Sequence, residues 1–200
     1  MNFKCWSGQR KTGMSALERH RRQTQLREAE GYLELATACS DVSPLSAALR
    51  DRMALTGLEI LARLEVTGWR KSHVLYLTGM GYKTMERFRD AIEPLRSAAE
   101  LDAENLHIWL ALGWCYKRLG RLDLAIQALE EGLSVDPSSA LVYYNLACYW
   151  SLARNAKLAV MYLSQAFDID TNYREKVVAE HDFDPIRRDP EFQLLTSVGV

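Results

Sequence analysis

Shifted by 34 residues, much of this 200-residue chain falls onto itself. Gly79 meets Gly113 and then Ala147, Tyr82 meets Tyr116 and Trp150, Ala91 meets Ala125 and Ala159, and Leu95 meets Leu129 and Leu163. Further columns are Ala98, Gly132 and Ala166, then Leu101, Val135 and Ile169, then Asp102, Asp136 and Asp170. Agreement in chemical type across three copies constrains the fold more than any other feature. A unit this short cannot bury its apolar face alone, so neighbouring copies must stack to build a continuous core.

Each copy reads as two helices. In the middle one, Asn105 is a suitable N-cap, and Trp109, Leu112, Gly113 and Tyr116 follow one helical face. Gly120 ends that helix where a residue of positive φ is wanted. Ala125, Leu129 and Gly132 line a second helix, closed by Asp136 and Pro137, with Ser138 or Ser139 able to cap the next. A mid-helix glycine costs roughly 1 kcal/mol against alanine. The column of Gly79, Gly113 and Ala147 therefore implies a close approach between the helices of one hairpin.

Trp109, Leu112, Gly113, Tyr116, Gly120, Ala125, Leu129 and Pro137 resemble the signature of the tetratricopeptide repeat family. The flanking copies are looser, with Glu86 and Arg154 at the turn and Ala103 and Thr171 in place of the proline. The resemblance implies an all-α fold, a right-handed α-solenoid of stacked antiparallel helix hairpins. Repeats are expected over 72–105, 106–139 and 140–173. It also implies that the first helix of each repeat lines a concave groove that binds a partner. The positions left free by the signature are His73, His107 and Leu141, then Tyr76, Leu110 and Tyr144, then Met80, Trp114 and Cys148, then Lys83 and Lys117, with Arg118 beside the last. This stripe is aromatic and apolar along its centre with a basic edge, suited to a peptide or amphipathic helix. Family members that hold the acidic tails of chaperones use lysines and asparagines where Tyr76 and Met80 stand here, which argues against that role.

The ends are read as coverings of the array. A loose tail over 1–13 and a degenerate hairpin over 14–71 are expected first, with Met14 an alternative start. Tyr32, Leu35 and Ala36 repeat the spacing of Tyr116, Leu119 and Gly120, with Ala29 at the small position, in a helix from about Ala16 to Ala38, and Ser43-Pro44 is expected to open a second helix through Leu64. Gly57, Leu61 and Leu64 are its small and large core positions. Residues 174–200 are read as capping helices and a tail, broken at Pro185 and resumed after Asp189-Pro190, with Phe183, Ile186, Phe192 and Leu195 folding back. Its DFDPIRRDPEF ending resembles those of bacterial arrays of this family.

Charges nearly cancel at a net of -1, which argues against a global affinity for nucleic acid or an acidic membrane. Cys5, Cys39, Cys115 and Cys148 form no C-x-x-C pair, as expected of reduced thiols in a cytoplasmic protein. No apolar run reaches the roughly 18 residues of a membrane span. GMGYKT, Gly79 to Thr84, lacks the glycine before the lysine that a phosphate loop needs, and its glycine and tyrosine are repeat positions. His181, Asp182 and Asp184 form a capping stretch rather than a metal site, while RHRRQTQLR, Arg19 to Arg27, reads as a solvated face. His20, His73 and His107 are isolated, and no nucleophile has a recognisable base and orienting acid. The expected function is non-enzymatic protein binding as scaffold, adaptor or assembly factor, without cofactor or metal. A self-associating homo-oligomer and a catalytic or regulatory subunit are the alternatives.

Overall fold

The structure, a computed structural model, describes residues 15–42, 46–66 and 69–197. The expected tail over 1–13, the Met14 start, Cys5 and Ser43-Pro44 lie outside the described residues. Helices run in the order α1 (Ala16–Val42), α2 (Ala47–Ala62), α3 (Trp69–Thr84), α4 (Phe88–Leu101), α5 (Leu106–Arg118), α6 (Leu122–Val135), α7 (Ala140–Leu152), α8 (Ala156–Ile169) and α9 (Tyr173–Ala179). A 3-10 helix (His181–Ile186) and α10 (Pro190–Ser197) close the chain. Successive pairs α1/α2, α3/α4, α5/α6 and α7/α8 pack as hairpins, and each hairpin leans on the next through α2/α3, α4/α5 and α6/α7. Among the described residues the fold is an all-α solenoid.

The repeat columns are the core. Ala91, Leu95 and Ala98, then Ala125 and Leu129, then Ala159, Leu163 and Ala166 are each 0% exposed. Opposite them stand the close-approach positions. A Cβ on Gly113 would lie 3.0 Å from Leu129 Cδ2 and 3.3 Å from the Ala125 carbonyl oxygen, and one on Gly79 only 2.4 Å from Leu95 Cγ. Gly132 is small for a related reason, since a Cβ there would meet Leu106 Cδ1 at 3.1 Å and Trp109 Cβ at 3.3 Å. Trp109 itself is anchored by its indole N–H, which donates to the Ala103 carbonyl at 2.7 Å.

The three hairpin turns share one geometry. Gly120 has φ 72°, and the residues in its column, Glu86 and Arg154, have φ 58° and 60°. In each turn the next N–H reaches back to the column carbonyl at 2.9 Å: Arg87 to Tyr82, Arg121 to Tyr116, Asn155 to Trp150. This is the left-handed helix stop that satisfies orphan carbonyls, and only the middle copy uses the residue type that adopts it freely.

The N-terminal hairpin forms, but on a different register. Helix α1 continues to Val42, and α2 opens at Ser46, whose hydroxyl accepts from the Leu49 N–H. Ser15 and Glu18 cap α1 reciprocally, Ser15 N–H to the Glu18 carboxylate at 2.8 Å and Glu18 N–H to the Ser15 hydroxyl at 3.1 Å. Leu35 is 52% exposed, whereas Ala29, expected at the small position, is buried with Leu33 and Ala36. The spacing of those three, four residues and then three, is that of Ala91, Leu95 and Ala98. Gly57 completes the likeness, since a Cβ there would touch Leu33 at 3.1 Å and the Ala29 carbonyl at 3.2 Å.

At the other end the chain breaks earlier than Pro185. Helix α9 stops at Ala179, and Pro185 lies within the 3-10 helix. Phe183, Ile186 and Phe192 are buried, with Leu195 packed beside them, so the fold-back is as expected. Asp189 starts α10 by accepting from the N–H groups of Glu191 and Phe192.

Candidate functional site

The twelve residues expected to line a groove sit on α3, α5 and α7, and their surroundings differ sharply from one end to the other. At the N-terminal end His73 Nε2 lies 2.6 Å from the Glu30 carboxylate of α1, and its ring stacks on Tyr76 at 6.5 Å. Tyr76 and Met80 are half-buried and, with Leu33, Leu77 and Glu34, line a cavity of about 320 Å³ between α1 and α3. Burial raises the Tyr76 hydroxyl above its ordinary pKa.

In the middle, Trp114 is flanked by two cations, Lys83 Nζ 4.7 Å and Arg118 Cζ 5.1 Å from its ring centre. Arg118 also lies 4.7 Å over Phe88, whose ring meets Trp114 edge-on at 5.1 Å. Phe88, the first residue of α4, belongs to this cluster although it lies on the second helix of its hairpin. Burial holds the Lys83 ammonium below the usual lysine pKa, with nearby Cys115 acting in the opposite sense. The same burial pushes the Cys115 thiol up to about 11. Leu110 is half-buried against the core of the following hairpin, His107 is exposed, and Leu141 is 43% exposed at the start of α7.

The C-terminal end is closed. Lys117 forms an ion pair with Asp182 of the 3-10 helix. Tyr144 is 6% and Cys148 2% exposed, so these two expected groove residues are not open to a partner. The Tyr144 ring packs 4.8 Å from Tyr173 and 5.7 Å from Phe183, beneath the cap. Burial raises the Tyr144, Cys148 and Tyr149 pKa values, and the carboxylates of Glu180 and Asp182 add to the effect on Tyr144 and Cys148. The cap is tied down by Arg187, which donates to the carbonyls of Val177, Val178 and Glu180 and, at 2.6 Å, to Asp184.

Ligating atoms of Cys148, Glu180 and Asp182 lie within 4.8 Å of one another. The ammonium of Lys117 supplies a positive charge at that point by pairing with Asp182. His181 and Asp184 do not join it: they pair with each other at 3.2 Å, with the His181 side chain 91% exposed. The stretch Gly79 to Thr84 lies within α3, so no phosphate-cradling loop exists there. Arg19 to Arg27 is part of α1, where Arg22 donates to the Glu65 carbonyl at 2.6 Å. Among the described residues no helix is long and apolar enough to cross a membrane.

Residues 84–147 match the tetratricopeptide repeat family model. No curated protein matches the chain. Among solved structures, a crystal structure of MamA superposes with a TM-score of 0.55 at 17% identity, covering 82% of this chain and 99% of that one. A second MamA structure gives 0.56 at 20% identity, over 76% of this chain and 79% of the other. YrrB, a TPR protein with an unusual peptide-binding site, gives 0.57 at 18% identity, over 80% of this chain and 87% of its own. At these identities the likeness is one of fold. Residues 84–147 thus match the tetratricopeptide repeat family by sequence, and the described helices on either side continue the same fold.

Proposed function

We propose that this protein is a non-enzymatic interaction module, a scaffold, adaptor or assembly factor, that holds a peptide or helix of a partner protein along α3 and α5. The observation that carries the reading is Trp114. The repeat's own packing does not call for a large aromatic there, yet one stands half-exposed between two cations at the centre of the array. Aromatic and arginine side chains in partly desolvated settings dominate protein interfaces, and a preformed surface keeps the ordering cost of binding low. The peptide-binding site of YrrB supports the same reading by likeness of fold. Buried free thiols at Cys115 and Cys148 suit the reducing cytoplasm.

The experiment is affinity capture from the native cell with the wild-type chain and with Tyr76→Ala and Trp114→Ala. The expected result is a partner retained by the wild type and lost by Trp114→Ala, with the circular dichroism spectrum unchanged. Retention of every partner by both variants would move the function away from this surface. A dimer by light scattering, lost on the same substitution, would reassign it to self-association.

A further inference from the structure

The array carries, at its own C-terminal end, an example of what can sit on the lysine column of α3 and α5. Lys83 and Lys117 occupy the same place in successive repeats. Lys117 is met by the carboxylate of Asp182, and the next residue, Phe183, inserts its ring edge-on against Tyr144 of the following first helix at 5.7 Å. Carboxylate on the lysine and aromatic ring on the helix beyond it together make the seated cap. One repeat earlier the lysine is the same and the occupant is missing. Lys83 has no acidic partner among the described residues, and its recorded contact is the face of Trp114. In the positions of Tyr144 and Cys148 stand Leu110 and Trp114, an apolar floor, and Arg118 adds a second cation on the same indole.

We propose that the cluster of Lys83, Trp114 and Arg118 binds an acidic segment of a partner protein in which a carboxylate is followed directly by an aromatic residue. The carboxylate is received by Lys83 and Arg118, and the aromatic side chain lies against Trp114 and Leu110. This deepens the groove reading above and rests on it. Charge complementarity favours the acidic class: two cations 4.7 and 5.1 Å from one ring repel a basic segment and leave an anion two charged donors. A half-buried ammonium without a counter-ion has already lost part of its hydration, so pairing with an arriving carboxylate strips less further water from the lysine than at an open surface. The cap of a second copy is not the occupant, because its Asp182 is paired and its Phe183 is 0% exposed within its own chain. The site also differs from the cap's own seat. The indole of Trp114 rises where the small thiol of Cys148 lets the cap come close, so the ligand's ring stacks on the surface instead of entering the core.

The test uses a fluorescein-labelled peptide of sequence EHDFDPI, copying residues 180–186, read by fluorescence polarisation against the full chain. Three further probes are the same peptide with both aspartates changed to asparagine, the peptide with its phenylalanine changed to alanine, and a basic amphipathic peptide of equal length. The acidic peptide should bind, more weakly as salt rises. Amidation, Lys83→Gln and Trp114→Ala should each weaken it about tenfold, the scale of one charge-assisted or aromatic contact. Circular dichroism confirms that each variant is folded. Equal binding of the amidated peptide, equal binding by Lys83→Gln, or no binding of the acidic peptide overturns the proposal. If the basic peptide binds instead and is lost on Trp114→Ala, the groove reading survives and the acidic specificity does not. If no peptide binds and Trp114→Ala leaves partner capture intact, both fail.

Discussion

Gly79→Ala and Gly113→Ala are chemically the same change in the same repeat column, yet the structure assigns them different outcomes. Each gains up to about 1 kcal/mol of helix propensity on replacing a mid-helix glycine. Each also puts a methyl group against the second helix of its hairpin. At Gly113 the nearest atom is Leu129 Cδ2 at 3.0 Å, the end of a side chain that can turn by a few tenths of an ångström. In the third copy the column holds Ala147 against Leu163, so a methyl is accommodated there. At Gly79 the Cβ would lie 2.4 Å from Leu95 Cγ, a branch point that moves only with the whole side chain, and Leu95 is 0% exposed. Overpacking of that kind costs about 1 to 3 kcal/mol. Gly113→Ala should therefore stay within about 1 kcal/mol of the wild type, and Gly79→Ala should fall below it by up to about 2 kcal/mol. For a chain of this size the gap between the two variants corresponds to roughly 5 °C in melting temperature. Parallel thermal and urea melts by circular dichroism measure it, with midpoints compared directly because repeat arrays depart from two-state behaviour. A Gly79→Ala variant as stable as Gly113→Ala would refute the claim that contact distance, rather than propensity, governs this column.

Further outcomes follow from the same structure. Arg154→Gly should raise stability by about 1 kcal/mol by relieving a positive φ at an exposed turn, and Gly120→Ala should lower it by about as much, both read from melting midpoints. Arg187→Ala removes the donor that joins Asp184 to three carbonyls of the cap and should cost about 1 to 3 kcal/mol, with hydrogen exchange rising first over 173–197. The Arg187 hydrogen bond, with His181 assisting, holds the Asp184 carboxyl below its ordinary 3.8, so its contribution is complete above that value and is lost as pH falls through the lower folded-state value; Asp184→Asn should remove this component from an acid titration of stability. Cys115, with its thiol raised to about 11, should resist alkylation at pH 8 in the native chain and react readily in urea, as followed by peptide mass mapping.

The hairpins of α3 to α8 were legible in the sequence because the residues that build each one lie within a single period and recur. Trp109, Gly113, Tyr116 and Gly120 announce their roles by type and spacing alone. The N-terminal hairpin was legible in outline but misread in detail. Ala29, Ala36 and Gly57 were read as small or repeat positions, but Tyr32 and Leu35 imitate one column pattern while Leu33 carries the packing, and only its contact with Gly57 of α2 reveals it. The groove was the least legible part. That Tyr144 and Cys148 disappear under a cap depends on Asp182 reaching Lys117 across 65 residues, a contact with no local signature. Phe88 was missed because it opens a second helix, and its approach to Trp114 is set by how α4 leans on α5. Glu86 and Arg154 at the turns showed the reverse case: the fold imposes on them a conformation their residue types disfavour.

Those three turns also grade the array along its length. The middle hairpin stops its first helix with a relaxed glycine, and the hairpins on either side do so with strained side-chain-bearing residues. In a linear array each hairpin draws its stability from itself and its neighbours. On this count alone the centre is expected to open after the hairpins beside it, a sequence that hydrogen exchange would read. Trp114 stands on that segment, so the surface proposed for binding would outlast local opening of the outer hairpins.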